Sequence, residues 1–109
     1  MRVLFAGTPQ FAVPSLTSAA DRFNVCGVLT APIRPSGRGQ RMFASPVQNE
    51  AERLGIPVES PTEIDALFMQ KVSDFRAEVL VVAAYGLIFS QHFLDLFPFG
   101  ALNVHPSLL

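Results

Sequence analysis

Val3-Leu4-Phe5-Ala6 runs straight into Gly7-Thr8-Pro9, an unbroken apolar stretch that stops at a turn signal. Polar residues do not alternate with apolar ones, so a strand formed here has both of its faces covered. Val25 to Leu29, Val79 to Ala84 and Ala101 to Val104 share that character, with longer segments between them. Strands covered on both faces and separated by helical connections read as βα units. The expected fold class is therefore α/β, an open, mostly parallel sheet with flanking helices. Pro57-Val58-Glu59 is a shorter strand candidate.

The connecting segments carry helix signals. Phe11, Leu16 and Ala19 or Ala20 share one helical face, and Pro14 is tolerable there only within the first turn. Ser45-Pro46-Val47-Gln48 combines an N-cap serine, proline at the first helical position and glutamine three residues after the cap. That helix is expected to reach about Leu54 and to end at Gly55, with Pro57 beyond. Thr62-Glu63-Ile64-Asp65 opens another, with Leu67, Phe68, Val72 and Phe75 as its buried stripe. Ser90 caps a last helix, expected to run through Leu96 before Pro98.

With 109 residues, half of them apolar, the chain has the size of one domain and enough material for a core. Eight basic against nine acidic side chains leave no global field that would draw nucleic acid or membrane. A single cysteine, Cys26, excludes an internal disulfide and a thiol metal cluster, which suits a reducing, cytoplasmic setting. The opening apolar run is too short for a secretory signal or a membrane span.

Four places could carry chemistry. Gly7-Thr8-Pro9 occupies the position of a nucleotide-binding loop but lacks the three glycines of a dinucleotide fingerprint. Gly7 by itself reads as a tight strand-to-helix turn. Ala31-Pro32-Ile33-Arg34-Pro35-Ser36-Gly37-Arg38-Gly39-Gln40-Arg41 lacks periodicity and carries three arginines, with no acidic residue between Asp21 and Glu50. Such a segment suits forked hydrogen bonds to phosphate, although on charge alone a solvated surface loop is the favoured reading. Tyr85-Gly86-Leu87 follows a buried strand, where open parallel sheets bind ligands; a partly buried Tyr85 ring with its hydroxyl in water is the plain alternative.

The last place is Asn103-Val104-His105-Pro106-Ser107. Alternation along a strand lets Asn103 and His105 face one cleft while Val104 faces the core. A carboxamide can donate to an oxygen that becomes an oxyanion, and an imidazole can move a proton near neutral pH. Acyl-group transfer uses both. A histidine near a strand end is otherwise commonly structural, and His92, on an expected exposed helix surface, has no comparable partner.

Taken together, four motifs resemble the amino-terminal part of the methionyl-tRNA formyltransferases: Phe5-Ala6-Gly7-Thr8-Pro9, Arg34-Pro35-Ser36-Gly37-Arg38-Gly39-Gln40, Ala83-Ala84-Tyr85-Gly86-Leu87-Ile88 and Asn103-Val104-His105-Pro106-Ser107-Leu108-Leu109. The last is shared with other folate-dependent formyltransferases, and the first two point to the tRNA enzymes. The resemblance implies a Rossmann-like fold of the formyltransferase type. It also implies transfer of the formyl group of 10-formyltetrahydrofolate to the amino group of methionyl-initiator tRNA, with no metal.

In that family's pattern Asn103 and His105 are catalytic. Ser107, Leu108 and Leu109 match folate-binding positions, to which the resemblance adds the backbone around Tyr85, Gly86 and Leu87, and Arg38 matches the arginine of the tRNA-contacting loop, with Arg41 as an auxiliary. The resemblance further implies that residues 1–109 are the front of a catalytic domain. The rest of that domain, an aspartate that orients the histidine and a carboxyl-terminal β-barrel would then lie beyond Leu109. Residues 1–109 alone are on that basis expected to be inactive, and the full-length enzyme a monomer. Another 10-formyltetrahydrofolate-dependent formyltransferase, acting on a purine intermediate or a sugar nucleotide, and a noncatalytic folate- or RNA-binding remnant are the alternatives.

Overall fold

The structure, a computed structural model, describes residues 1–36 and 41–105, with Ser36 and Arg41 described by their backbone alone. In chain order the elements are β1 (Arg2–Gly7), a 3-10 turn (Gln10–Ala12), α1 (Val13–Arg22), β2 (Asn24–Leu29), β3 (Arg34–Ser36), β4 (Arg41–Phe43), α2 (Pro46–Arg53), β5 (Val58–Glu59), α3 (Ala66–Ser73), β6 (Val79–Ala83), α4 (Gln91–Leu94) and β7 (Ala101–Asn103). Five strands make one sheet in the order β5-β2-β1-β6-β7, and every neighbouring pair is parallel. The expected α/β architecture is therefore the observed one.

Alternate residues of β1 explain why its sequence is apolar throughout. Val3 and Phe5 enter a cluster with Leu16 of α1 and Val47 of α2, while Leu4 and Ala6 enter a second with Val72 of α3 and Phe93 of α4. Each face of the sheet thus has its own helical cover, as continuous runs require. In β2 the register slips, since Val3 pairs with Val25 but Leu4 pairs with Gly27. A Cβ on Gly27 would stand 2.9 Å from the Phe75 ring, so glycine is what lets that ring lie against the strand.

Local chemistry sets the helix ends. Pro14 sits in the first turn of α1, as it must. Ser45 caps α2 by accepting from the Gln48 N–H at 2.9 Å, and Gly55 follows the helix with φ +74°. The Gln48 side chain does not reach back to the cap; its Nε2 donates to Glu52 Oε1 at 2.9 Å along the helix instead. Ser90 caps α4, accepting from Phe93 N–H at 3.1 Å.

Several expectations need correction. α3 opens at Asp65 and not at Thr62, because the Asp65 carboxylate takes the Phe68 N–H at 2.8 Å. Leu67 is 79% exposed, since the buried stripe follows Ile64, Phe68, Val72 and Phe75 and leaves it beside the seam. Phe11 is also exposed: it falls in the 3-10 turn, whose tighter winding rotates it off the α1 stripe, and Ala12 is buried instead. α4 ends at Leu94, short of Leu96. Finally, the arginine segment contains a hairpin in which β3 and β4 pair antiparallel, Arg34 opposite Phe43 and Ser36 opposite Arg41.

Candidate functional site

The strand order places a reversal at the centre of the sheet. From β1 the chain moves outward through β2 to β5, then returns to lay β6 and β7 on the other side of β1. Connections leaving β1 and β6 on opposite sides open a crevice outside the carboxyl ends of those strands, the usual ligand position in open parallel sheets. Three of the sequence motifs end there. β1 finishes at Gly7, β6 at Ala83 and β7 at Asn103.

Gly7 is paired with Ala83, and a Cβ on it would lie 2.6 Å from the Ala83 carbonyl oxygen. Its role is thus close approach between two strand ends, a more specific reason for glycine than the turn expected from sequence. Immediately afterwards Ala84 adopts φ +58°, a left-handed conformation that costs a non-glycine residue about 1–2 kcal/mol. This bend, which no sequence signal marked, turns Tyr85 back over the second core cluster.

The Tyr85 ring stacks on Phe89 with centroids 5.5 Å apart and 12° between planes, and Phe89 stacks in turn on Phe93 at 4.7 Å and 10°. The hydroxyl does not reach water. It is buried and finds no hydrogen-bond partner among the described residues, and desolvation pushes its pKa up to about 12. Gly86 beside it is exposed, with open space where a Cβ would stand, and Leu87 is half-buried. A flat stacked ring next to accessible backbone can receive a planar ligand.

On β7, Leu102 pairs with Val81 and Asn103 with Val82. Val81 packs with the first core cluster and Val82 with the second, so alternation puts Asn103 on the side of Tyr85. Val104 continues the ladder, donating its N–H to the Val82 carbonyl at 2.7 Å, and its side chain joins the first cluster. His105 follows just beyond the strand, and both it and Asn103 are exposed. An apolar groove of about 650 Å³ beside β7 takes Leu102 and Val104 with Phe23 and Phe99, and not Asn103 or His105.

Arg34 is exposed in β3, and the backbone of Arg41 lies in β4. Arg38, Ser107, Leu108 and Leu109 lie outside the described residues. His92 is exposed on α4. Among the described residues no three His, Cys, Asp or Glu side chains gather to hold a metal, and no helix is long and apolar enough to cross a membrane.

Comparison with known proteins adds a family. The formyl transferase model matches residues 1–109. Methionyl-tRNA formyltransferase of Heliobacterium modesticaldum is 48% identical over 110 residues, an alignment covering 100% of this chain and 35% of that protein. The protein of the same name from Stenotrophomonas maltophilia is 47% identical, covering 100% of this chain and 36% of the relative. The chain therefore spans about a third (35%) of the length of the curated relatives it matches. Among solved structures, phosphoribosylglycinamide formyltransferase from Streptococcus pneumoniae TIGR4 superposes with TM-score 0.67 at 16% identity, over 99% of this chain and 58% of that one. At that identity the likeness speaks for the fold.

Proposed function

The chain belongs to the formyl transferase family, and from that premise we propose that it forms the formyl-transfer end of a methionyl-tRNA formyltransferase. What supports the reading is that Asn103 and His105 are both exposed where β7 ends, with Asn103 on the Tyr85 side of the sheet. In this reading 10-formyltetrahydrofolate is the donor and the methionyl group of initiator tRNA the acceptor. The folate ring system lies over the Tyr85-Gly86-Leu87 segment and the stretch Ser107 to Leu109, while Arg38 and Arg41 meet the tRNA.

The chemistry follows from the two side chains. The lone pair of the methionyl amine attacks the formyl carbon, forming a C–N bond and moving the carbonyl electrons onto oxygen. The Asn103 carboxamide N–H donates to that oxyanion, an interaction strongest in the transition state. His105 accepts the proton released by the attacking nitrogen and returns it to the folate nitrogen as the second C–N bond breaks. Formyl-methionyl-tRNA and tetrahydrofolate leave, and no redox change or metal is called for. The 42–48% identical relatives named methionyl-tRNA formyltransferase favour this acceptor over a purine intermediate.

The test is a formylation assay of residues 1–109 grafted in place of the matching part of the Heliobacterium modesticaldum protein. Met-tRNA and a small amine such as glycinamide ribonucleotide are offered separately with the folate donor. Turnover of Met-tRNA is the expected result; turnover of the small amine alone would replace the acceptor proposed here.

A further inference from the structure

Thr8, Thr30 and Ser45 fasten the neck of the β3–β4 hairpin, and we propose that this clasp positions the hairpin as the arm that holds the acceptor substrate. The inference rests on the tRNA acceptor proposed above and adds three positioning residues to it. Thr30 follows β2 directly and Ser45 precedes α2 directly, so the pair brackets the hairpin at a separation of fifteen positions. Their hydroxyl oxygens lie 2.5 Å apart, with Thr30 0% and Ser45 9% exposed. Ser45 Oγ also accepts from Gln48 N–H, and the Thr30 N–H donates to the Glu59 carbonyl at 3.1 Å.

Thr8 ties both sides of this neck to the end of β1. Its Oγ1 accepts from Ala31 N–H at 3.2 Å, and its carbonyl accepts from Val47 N–H at 3.4 Å. In dinucleotide-binding folds the turn at this position faces a pyrophosphate. Here its polar atoms are taken up by Ala31 and Val47 on the two segments flanking the hairpin, which accounts for a turn in the right place without the glycines a phosphate needs. Thr8 adjoins Gly7, and Gly7 is seated against Ala83 at the crevice. The hairpin's orientation is thereby referred to the strand ends where transfer takes place. Arg34 stands exposed in its first strand, within a stretch free of acidic residues from Arg22 to Asn49.

The clasp is tested in the same graft with Thr30→Val, which keeps the side-chain shape and leaves Ser45 without its buried partner, and with Thr30→Ser as the restoring variant. The KM for Met-tRNA should rise by about five- to tenfold, the loss expected for one buried hydrogen bond, with kcat and the folate KM unchanged. Limited trypsin digestion should cut faster after Arg41 relative to Arg76, and Thr30→Ser should return both readouts towards the parent. Should Thr30→Val fold poorly, Thr8→Val removes only the Ala31 bond and is expected to shift the same readouts less. Equal changes in both KM values and kcat, or an unchanged Arg41 cleavage ratio, would overturn the inference. If the parent graft fails to formylate Met-tRNA, the acceptor reading falls; the cleavage ratio then still decides for or against the clasp.

Discussion

Tyr85 and Gly7 show how much a single atom decides at the strand ends. The Tyr85 hydroxyl is buried without a partner among the described residues, so Tyr85→Phe should stabilise the fold by about 1 kcal/mol in urea unfolding. The group's pKa is raised from the ordinary 10.0 to about 12, so its neutral form is the one folding favours. The corresponding stability is complete below pH 10 and is lost as pH rises towards 12. Tyr85→Phe should flatten that alkaline fall, and a parent phenolate titrating at the ordinary value would contradict the burial. Gly7→Ala sets a methyl 2.6 Å from a backbone oxygen and should cost about 1–3 kcal/mol on the same assay. The sequence exposed Gly7 as special yet suggested a turn, because a close approach between distant strands leaves no local mark. The left-handed Ala84 was invisible for the same reason: an alanine ordinarily avoids φ +58°, and only the path from β6 to the aromatic stack imposes it.

Elements were legible where their signals are local. Ser45 and Ser90 cap the helices read from them, since a cap joins atoms three residues apart. Thr62 misled because Asp65 supplies a competing oxygen closer to the apolar stripe. The β3–β4 hairpin went unread because each arm has three residues and one contains Pro35, too little for a strand pattern. Between helices, the contact most open to test is Glu50 of α2. It accepts from Thr17 of α1 at 2.7 Å and binds Arg53 through both oxygens, which lowers its pKa from 4.5 to about 2. A depressed carboxyl stabilises above its unfolded pKa, and that contribution disappears as pH falls from 4.5 towards 2. Glu50→Gln should therefore weaken the fold at neutral pH and make acid unfolding through that window shallower. Identical acid profiles for the two proteins would show that the fold draws no stability from this charge, which Arg53 holds first and Thr17 second.

For the whole molecule, the uninterrupted apolar runs already implied a parallel sheet covered on both sides, and two core clusters provide that cover. The runs said nothing about strand order, which depends on long crossovers, so the reversal between β1 and β6 emerged only in three dimensions. That reversal gathers motifs from residues 7, 84–87 and 103–105 at one end of the sheet. Formyl transfer by the graft on the Heliobacterium modesticaldum protein, followed over a range of Met-tRNA and folate concentrations with Asn103→Ala and His105→Ala, tests the central claim most directly. Each variant should lower kcat by about a hundredfold or more and leave both KM values close to the parent's, as loss of oxyanion or proton-transfer assistance requires. Undiminished kcat in both variants would contradict the account, because chemistry would then be proceeding without the two groups on which it depends.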